Sequence, residues 1–415
     1  MKIAIVIDGW AGGNGAIVAT ERMVKELTAR GHEIVIISTG KHEGNFEHFE
    51  VPGFYLPGVK ESLENMEFKF GKGVKSIYRK AYKGVDIVQI QFPMFMARNA
   101  VKVANKMGIP VIGSCHLQPQ NIISAMGKES RLMETFFVKW FNFNLFKKVK
   151  AVHCPSHFAA DMLQREGSTA HMRVISNGIP VEYTPSKAKR PDWFGDNFVI
   201  SNIGRHAMEK RQELLIDGVL RSKYRDNIQL LLCGKGEDSE KLKKRGEELP
   251  VKPMVDFVSM EDKLLYLNTS DLYLHSSVVE LESLSCLEAI GCGLPCLIGN
   301  SPHSAAPQFA LDDRFLFETD NADDLAKKID YWYENRETLA ELKQQTLQMA
   351  EYYRFNKCIN EMEEFYRDTI SGNIKESRKP ESETGKFLDD MEKEEQVVQV
   401  PVSGKEKQMP ISSKS

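Results

Sequence analysis

Three loops hold the residues best suited to chemistry, and each follows a run of aliphatic residues. The first, Gly9-Trp-Ala-Gly-Gly-Asn-Gly15, comes after Ile3–Ile7. Glycines let backbone N–H groups approach an anion, and a helix starting just beyond adds partial positive charge. A structural turn with no ligand is the competing reading. The second, Gly204-Arg-His-Ala-Met-Glu-Lys-Arg211, sets Arg205 and Lys210 around a turn that opens a helix. Two cations there suit a diphosphate, although Arg and Lys also decorate ordinary loops. The third runs from Ser277 to Pro295 and spaces Glu280 and Glu288 eight residues apart. Glu280 falls in a strand-to-helix loop, and Glu288 about two turns further on, in the apolar stretch Leu284–Ile290. Acids near a helix start complement its dipole. A carboxylate among apolar neighbours also needs a partner, and a ligand hydroxyl is one.

These loops need strands to aim them. Strands are expected at Ile3–Ile7, Glu33–Thr39, Asp86–Phe92, Pro110–His116, Ala151–Pro155 and Arg173–Ser176. Their Val- and Ile-rich cores lack polar alternation, as in parallel strands covered on both faces. Helical patterns lie between them, such as Val18–Arg30 and Ala97–Met107, each followed by a glycine suited to the left-handed cap. The pattern restarts with strands at Phe198–Ile203, Ile228–Cys233, Val255–Val258, Leu272–His275 and Pro295–Ile298. The polar, Pro-containing segment Pro185–Asp196 reads as a linker. Two successive βαβ sets imply an α/β chain of two Rossmann-like, doubly wound domains facing each other across a cleft. We place the first at 1–185 and the second at 186–353, with a helix near 354–371 able to pack back on the first. The cleft is the default ligand site. Residues 373–415 hold one Phe, no Trp or Tyr and many charges, and read as a disordered tail.

Composition narrows the function. A chain of 415 residues is long for one core and comfortable for two. A net charge of −3 argues against a mainly nucleic-acid-binding protein. The seven cysteines, Cys115, Cys154, Cys233, Cys286, Cys292, Cys296 and Cys358, form no CxxC pair, which points to a reducing cytoplasm. No stretch of 18 consecutive apolar residues is present to span a membrane. The opening MKIAIVID is too short an apolar run for a signal peptide and reads as a strand.

Together the loops resemble family 4 retaining glycosyltransferases of the GT-B fold, nearest to those that glycosylate diacylglycerol or related lipids. The matching pieces are the Gly-rich first loop, His116, Pro155-Ser156, Asn177-Gly178-Ile179, Gly204-Arg205 with Glu209-Lys210, Gly234-Lys-Gly236, and Glu280 to Glu288 with Gly291-Cys-Gly-Leu-Pro295. Their order spans about residues 1–370. The resemblance implies that Arg205 and Lys210 hold the diphosphate of a nucleotide sugar, read as UDP-glucose, and stabilise its departing charge. It implies that Glu288 accepts ribose hydroxyls and that Glu280 contacts the donor sugar near the reacting carbon. Backbone amides of Leu281, Glu282, Ser283 and Leu284 would face the sugar and phosphates, and Gly12 or Gly13 would approach from the other domain. His116 would lie at the cleft floor near the transferred sugar. No cofactor or metal is implied, and no Asp-x-Asp run is present. One departure stands out: Leu281-Glu282-Ser283 replaces the family's usual Gly-Phe-Gly, and Glu282 is unfavourable near a diphosphate unless its side chain turns away.

Two segments bear on the acceptor. Lys69–Lys83 has six basic residues and no acid, with Phe70, Val74, Ile77 and Ala81 at helical spacing, a pattern suited to an anionic bilayer surface or to a solvated helix face. Met133–Phe146 is aromatic-rich and is followed by Lys147, Lys148 and Lys150. A lipid acceptor, with a peripheral position on the inner face of the cell membrane, is the leading reading. A saccharide acceptor in capsule, exopolysaccharide or glycoprotein assembly is the alternative. A non-catalytic subunit on the same fold is a third reading, supported by the Leu281–Ser283 departure. A nicotinamide-dependent oxidoreductase fits poorly, because the first loop lacks its third glycine and Ser38-Thr39 supplies no acid for a ribose.

Overall fold

The computed structural model describes residues 1–10, 14–40, 44–56, 60, 64, 68–125 and 131–374. The predicted tail lies outside them from residue 375 onward. Fifteen strands are present among the described residues: β1 Lys2–Ile7, β2 Glu33–Ser38, β3 Glu47–Glu50, β4 Gly53–Phe54, β5 Phe70–Gly71, β6 Ile87–Ile90, β7 Val111–Ser114, β8 Ala151–Cys154, β9 His171–Val174, β10 Phe198–Ile203, β11 Ile228–Cys233, β12 Met254–Asp256, β13 Leu272–His275, β14 Cys296–Gly299 and β15 Leu316–Phe317. They form a seven-stranded sheet in the order β3-β2-β1-β6-β7-β8-β9 and a six-stranded sheet in the order β12-β11-β10-β13-β14-β15. The pairings within both sheets are parallel; only the small β4–β5 ribbon is antiparallel.

Each sheet reverses its winding direction once. In the first, β1 lies between β2 and β6; in the second, β10 lies between β11 and β13. Connections leaving such a pair run to opposite sides and open a crevice at the C-terminal strand ends. The ends of β1, β10 and β13 therefore lie at these crevices. Local signals set the helices between strands. Asn14 caps Gly15–Ala29 by accepting the Ile17 N–H at 3.0 Å. Gly108 ends Ala97–Met107 in the left-handed conformation expected of it.

The chain crosses between lobes earlier than Pro185–Asp196. Ile179 and Tyr183 already belong to the second core. The polar segment is attached to the second lobe, because Phe194 is buried there and Arg190 bonds Asp271 and the Thr269 carbonyl. The crossing consists of two strands of chain side by side. Ile179 N–H donates to the Tyr353 carbonyl at 2.7 Å, and Phe355 N–H to the Ile179 carbonyl at 3.0 Å. Gly178 sits here with φ +77°, and a side chain would meet the Phe355 backbone at 2.8 Å. After this return, helix Phe355–Ser371 buries Cys358, Ile359, Met362, Phe365 and Tyr366 in the first core. Full burial of large side chains such as Phe365 contributes about 1.5–3 kcal/mol each.

The expected continuous helix over Lys69–Lys83 does not form. Phe70 pairs in β5, and the helix is only Lys75–Ala81. Phe70 and Ala81 face the first core, so the apolar spacing serves packing, while Lys69, Lys72, Lys75, Arg79, Lys80 and Lys83 remain exposed. All seven cysteines are buried and unpaired in disulfides.

Candidate active site

The loops after β10 and β13 are stitched into one surface. Ser276 Oγ donates to the Lys210 carbonyl at 2.7 Å, and Val278 N–H to the Glu209 carbonyl at 3.1 Å. The Gly234–Gly236 loop packs directly beneath. A Cβ on Gly234 would stand 1.8 Å from the Gly204 carbonyl oxygen, so only glycine permits this approach. On that floor Lys210 Nζ meets Glu280 Oε1 at 2.5 Å, and Arg205 meets Glu209 at 2.5 Å and Glu237 at 3.3 Å. Burial works to lower the Lys210 pKa, but the contact with Glu280 and the charge of Glu209 outweigh it, and the net shift is upward. Lys210 is therefore a fixed cation. His275, at the end of β13, lies behind this pair with Nε2 3.6 Å from Glu280 Oε1.

Glu288 occupies helix Leu284–Gly291 and is buried. Its partner is not left to a ligand, as the sequence suggested. Lys263 Nζ lies 2.5 Å from Oε2 and Arg22 Nη2 lies 2.7 Å from Oε1. Tyr183 stands between the two cations, accepting from Lys263 at 2.9 Å, with both lying over its ring. The premise that an apolar helix leaves Glu288 unpaired fails because tertiary contacts bring cations from residues 22 and 263.

Residues Leu281–Leu284 turn from the loop into this helix. Ser283 Oγ accepts the Cys286 N–H, while the first-turn amides ahead of it have no partner within the helix. Leu281 packs into the first lobe's core, and its carbonyl accepts Ser156 Oγ. Glu282 does turn aside. Its Oε2 accepts the Asn177 backbone N–H at 3.0 Å and the Asn177 side-chain amide at 2.7 Å. Burial pushes its pKa up to about 7 despite those bonds.

The first lobe contributes neutral groups. His116 keeps some exposure and lies edge-on to His153, with ring centroids 5.4 Å apart. Burial and the neighbouring His153 lower its pKa to about 3. It borders a cavity of about 20 Å³ with His153, Ser176 and Asn177. Two residues on, Gln118 Nε2 donates to the His303 carbonyl at 3.2 Å, which also accepts Glu280 N–H at 3.3 Å. The loop carrying His116 thus abuts the loop carrying Glu280. Asp8, ending the β1 region, accepts Gly71 N–H at 2.6 Å, and burial raises its pKa to about 7. Gly12 and Gly13 lie outside the described residues.

Lys210 thus pairs with Glu280 and Arg205 with Glu209, and Glu288 sits in a separate cluster with Lys263 and Arg22. Sequence reasoning missed Arg22, Lys263, Tyr183, Gln118 and His275. None stands in a recognisable motif; Arg22 and Glu288 are 266 residues apart.

Two facing parallel α/β sheets with charged loops at the winding reversal of the second define a GT-B glycosyltransferase architecture. A family model described as Glycosyltransferase Family 4 matches residues 13–183, and one described as Glycosyl transferases group 1 matches residues 184–349. The chain belongs to glycosyltransferase family 4. It is 23% identical over 392 residues to alpha-monoglucosyldiacylglycerol synthase of Acholeplasma laidlawii, covering 88% of this chain and 96% of that protein. It is 23% identical over 324 residues to the synthase of the same name from Streptococcus pneumoniae, covering 73% of this chain and 72% of that protein. Among solved structures, Anabaena HepE in complex with UDP and glucose has a TM-score of 0.68 at 15% identity, covering 89% of this chain and 100% of that one. No helix among the described residues is long and apolar enough to cross a membrane.

Proposed function

We propose that the protein transfers glucose from UDP-glucose, with retention of anomeric configuration and no metal, to a lipid acceptor of the diacylglycerol kind. The observation carrying the chemistry is the Lys210–Glu280 contact beside Arg205, at the winding reversal of the second sheet. Each cation is held by a carboxylate, and a diphosphate would exchange for those partners. Lys210 and Arg205 then stabilise the charge that grows on the leaving phosphate. Glu280, released from Lys210, turns to the sugar's hydroxyls. Glu288 takes the ribose hydroxyls, and amides of the Leu281–Leu284 turn face the phosphates. His116, neutral at working pH, orients a hydroxyl by hydrogen bonding, and the leaving phosphate accepts the acceptor's proton on the same face. Gly12 or Gly13 approaches the diphosphate from the first lobe.

The acceptor reading is supported by the two synthases named for monoglucosyldiacylglycerol. The exposed basic row Lys69–Lys83 suits a reversible stay on an anionic bilayer, with about 1 kcal/mol from each cation near the surface. A second basic face is continuous in kind. Arg98 and Lys148 bracket the half-exposed ring of Phe143 at 4.4 and 5.1 Å. Flotation with anionic liposomes should show binding at low salt that is lost at high salt; no binding at either removes the membrane part.

A donor screen that reads nucleotide release, followed by mass spectrometry and anomeric analysis of products from lipid and saccharide acceptors, tests the whole reading. An α-glucosyl lipid is expected. Release only with a saccharide acceptor would move the protein to polysaccharide or glycoprotein assembly, and no release with any donor would leave a binding subunit.

A further inference from the structure

Contacts that join the lobes at the cleft include Arg22 to Glu288 and to the Tyr183 hydroxyl, Ser156 to the Leu281 carbonyl, Asn177 to Glu282, and Gln118 to the His303 carbonyl. Of these, the Arg22–Glu288 contact alone is an ion pair between two cleft side chains. Arg22 lies on helix Gly15–Ala29 of the first lobe, Glu288 on helix Leu284–Gly291 of the second. Resting on the reading that Glu288 receives the ribose, we propose that Arg22 is a gate: its guanidinium occupies the ribose-binding carboxylate and must leave before a nucleotide sugar can seat.

The geometry favours competition over support. Both carboxylate oxygens are already engaged, Oε2 by Lys263 and Oε1 by Arg22, and the side chain is only 6% exposed. Each oxygen keeps a second lone pair, but with the side chain this buried a ribose hydroxyl reaches it only where one of the two cations makes room. Lys263 belongs to helix Met260–Thr269 of the same lobe as Glu288 and travels with it. Arg22 belongs to the opposite lobe and is separated from Glu288 by any opening of the cleft. It is also the less fully held cation, because its Nη1 is buried without a hydrogen-bond partner. Exchanging Arg22 for a hydroxyl frees that guanidinium to reach solvent, while Lys263 keeps Glu288 compensated. An uncompensated buried carboxylate, the usual penalty for breaking such a pair, does not arise. Donor entry and lobe separation become one event, so the lobes are held together by the residue that also excludes the donor.

UDP binding by calorimetry tests this on the full chain with Arg22→Met, Arg22→Gln and Glu288→Gln. Removing the competing cation should tighten UDP about fivefold to tenfold in Arg22→Met, the net scale of one ordinary hydrogen bond. Arg22→Gln, which retains hydrogen-bonding length, should tighten it less and guards against a folding failure of the first variant. Small-angle scattering of nucleotide-free Arg22→Met should show a larger radius of gyration than the wild type. A variant that merely disturbs structure would weaken UDP, so weaker or unchanged binding in both Arg22 variants overturns the gate. Glu288→Gln should lose affinity. If it does while Arg22 variants do not gain, the gate falls and the ribose assignment stands. If Glu288→Gln binds UDP normally, or the wild type binds none, the assignment falls and the gate with it.

Discussion

The two lobes share one architecture and differ in electrostatics. At the mouth of the second sheet, every prominent group is charged and paired: Lys210 with Glu280, Arg205 with Glu209, Lys263 with Glu288. At the mouth of the first, Arg22 apart, the prominent groups are held toward neutrality: His116 and His153 are lowered to about 3 and about 4, and Asp8 is raised to about 7. Burial drives all three first-lobe shifts, since few opposite charges face them. The same fold thus offers a charged wall suited to a diphosphate and a neutral wall suited to an uncharged hydroxyl. The lesson is that function is divided by the side chains at the strand ends, not by the sheets.

The largest effect should come from the charged wall. Lys210→Ala should lower turnover about 100- to 1,000-fold in a nucleotide-release assay, the loss typical of removing a group that stabilises leaving charge. A change under about threefold would erase the distinction between the walls. Glu282 sharpens the comparison, because it is a second-lobe carboxylate turned into first-lobe surroundings. Its folded pKa of about 7 stands above the ordinary 4.5, so the folded form holds the extra proton between those values. Stability is therefore lost as pH rises through that window, by roughly 2–3 kcal/mol once the group ionises. Glu282→Gln should raise the melting temperature at pH 8 and give no gain near pH 4.5; an equal gain at both would show that ionisation is not the cause.

A smaller effect is expected at His116. His116→Ala should reduce kcat about tenfold, the scale of one lost hydrogen bond to a reacting hydroxyl, with the donor KM unchanged. Since His116 is already neutral above about pH 3, the wild-type rate should show no limb from it between pH 5 and 8. A limb near 6.5 that vanished in the variant would break the picture of a neutral first wall. The smallest change of all is expected from chelation: EDTA should leave turnover unaltered, and a loss restored by a divalent cation would assign part of the charge stabilisation to metal.

Local signals carried much of this molecule. Ala97–Met107 runs to its capping Gly108 because apolar spacing and a left-handed terminus agree. The long buried strands β1, β10 and β11 announced themselves as continuous aliphatic runs. The edge strands Glu47–Glu50 and Leu316–Phe317 did not, being short and only partly buried. Lys69–Lys83 misled for a related reason: spacing near 3.6 residues describes a helix only if one element supplies every position, and here Phe70 belongs to a strand.

By itself, then, the sequence determined two parallel sheets, the loops that end their strands, and the presence of Arg205, Lys210, Glu280 and Glu288 in those loops, because backbone preference and burial are encoded over short distances. Only the tertiary structure decided the partners. Lys210 meets Glu280 across 70 residues, Glu282 turns to Asn177, and Glu288 is claimed by Arg22 and Lys263. Coulomb attraction acts through space: the second lobe's own fold brings Lys210 to Glu280 and Lys263 to Glu288, and the chain crossing at Ile179 brings Arg22 and Asn177 to that lobe's carboxylates.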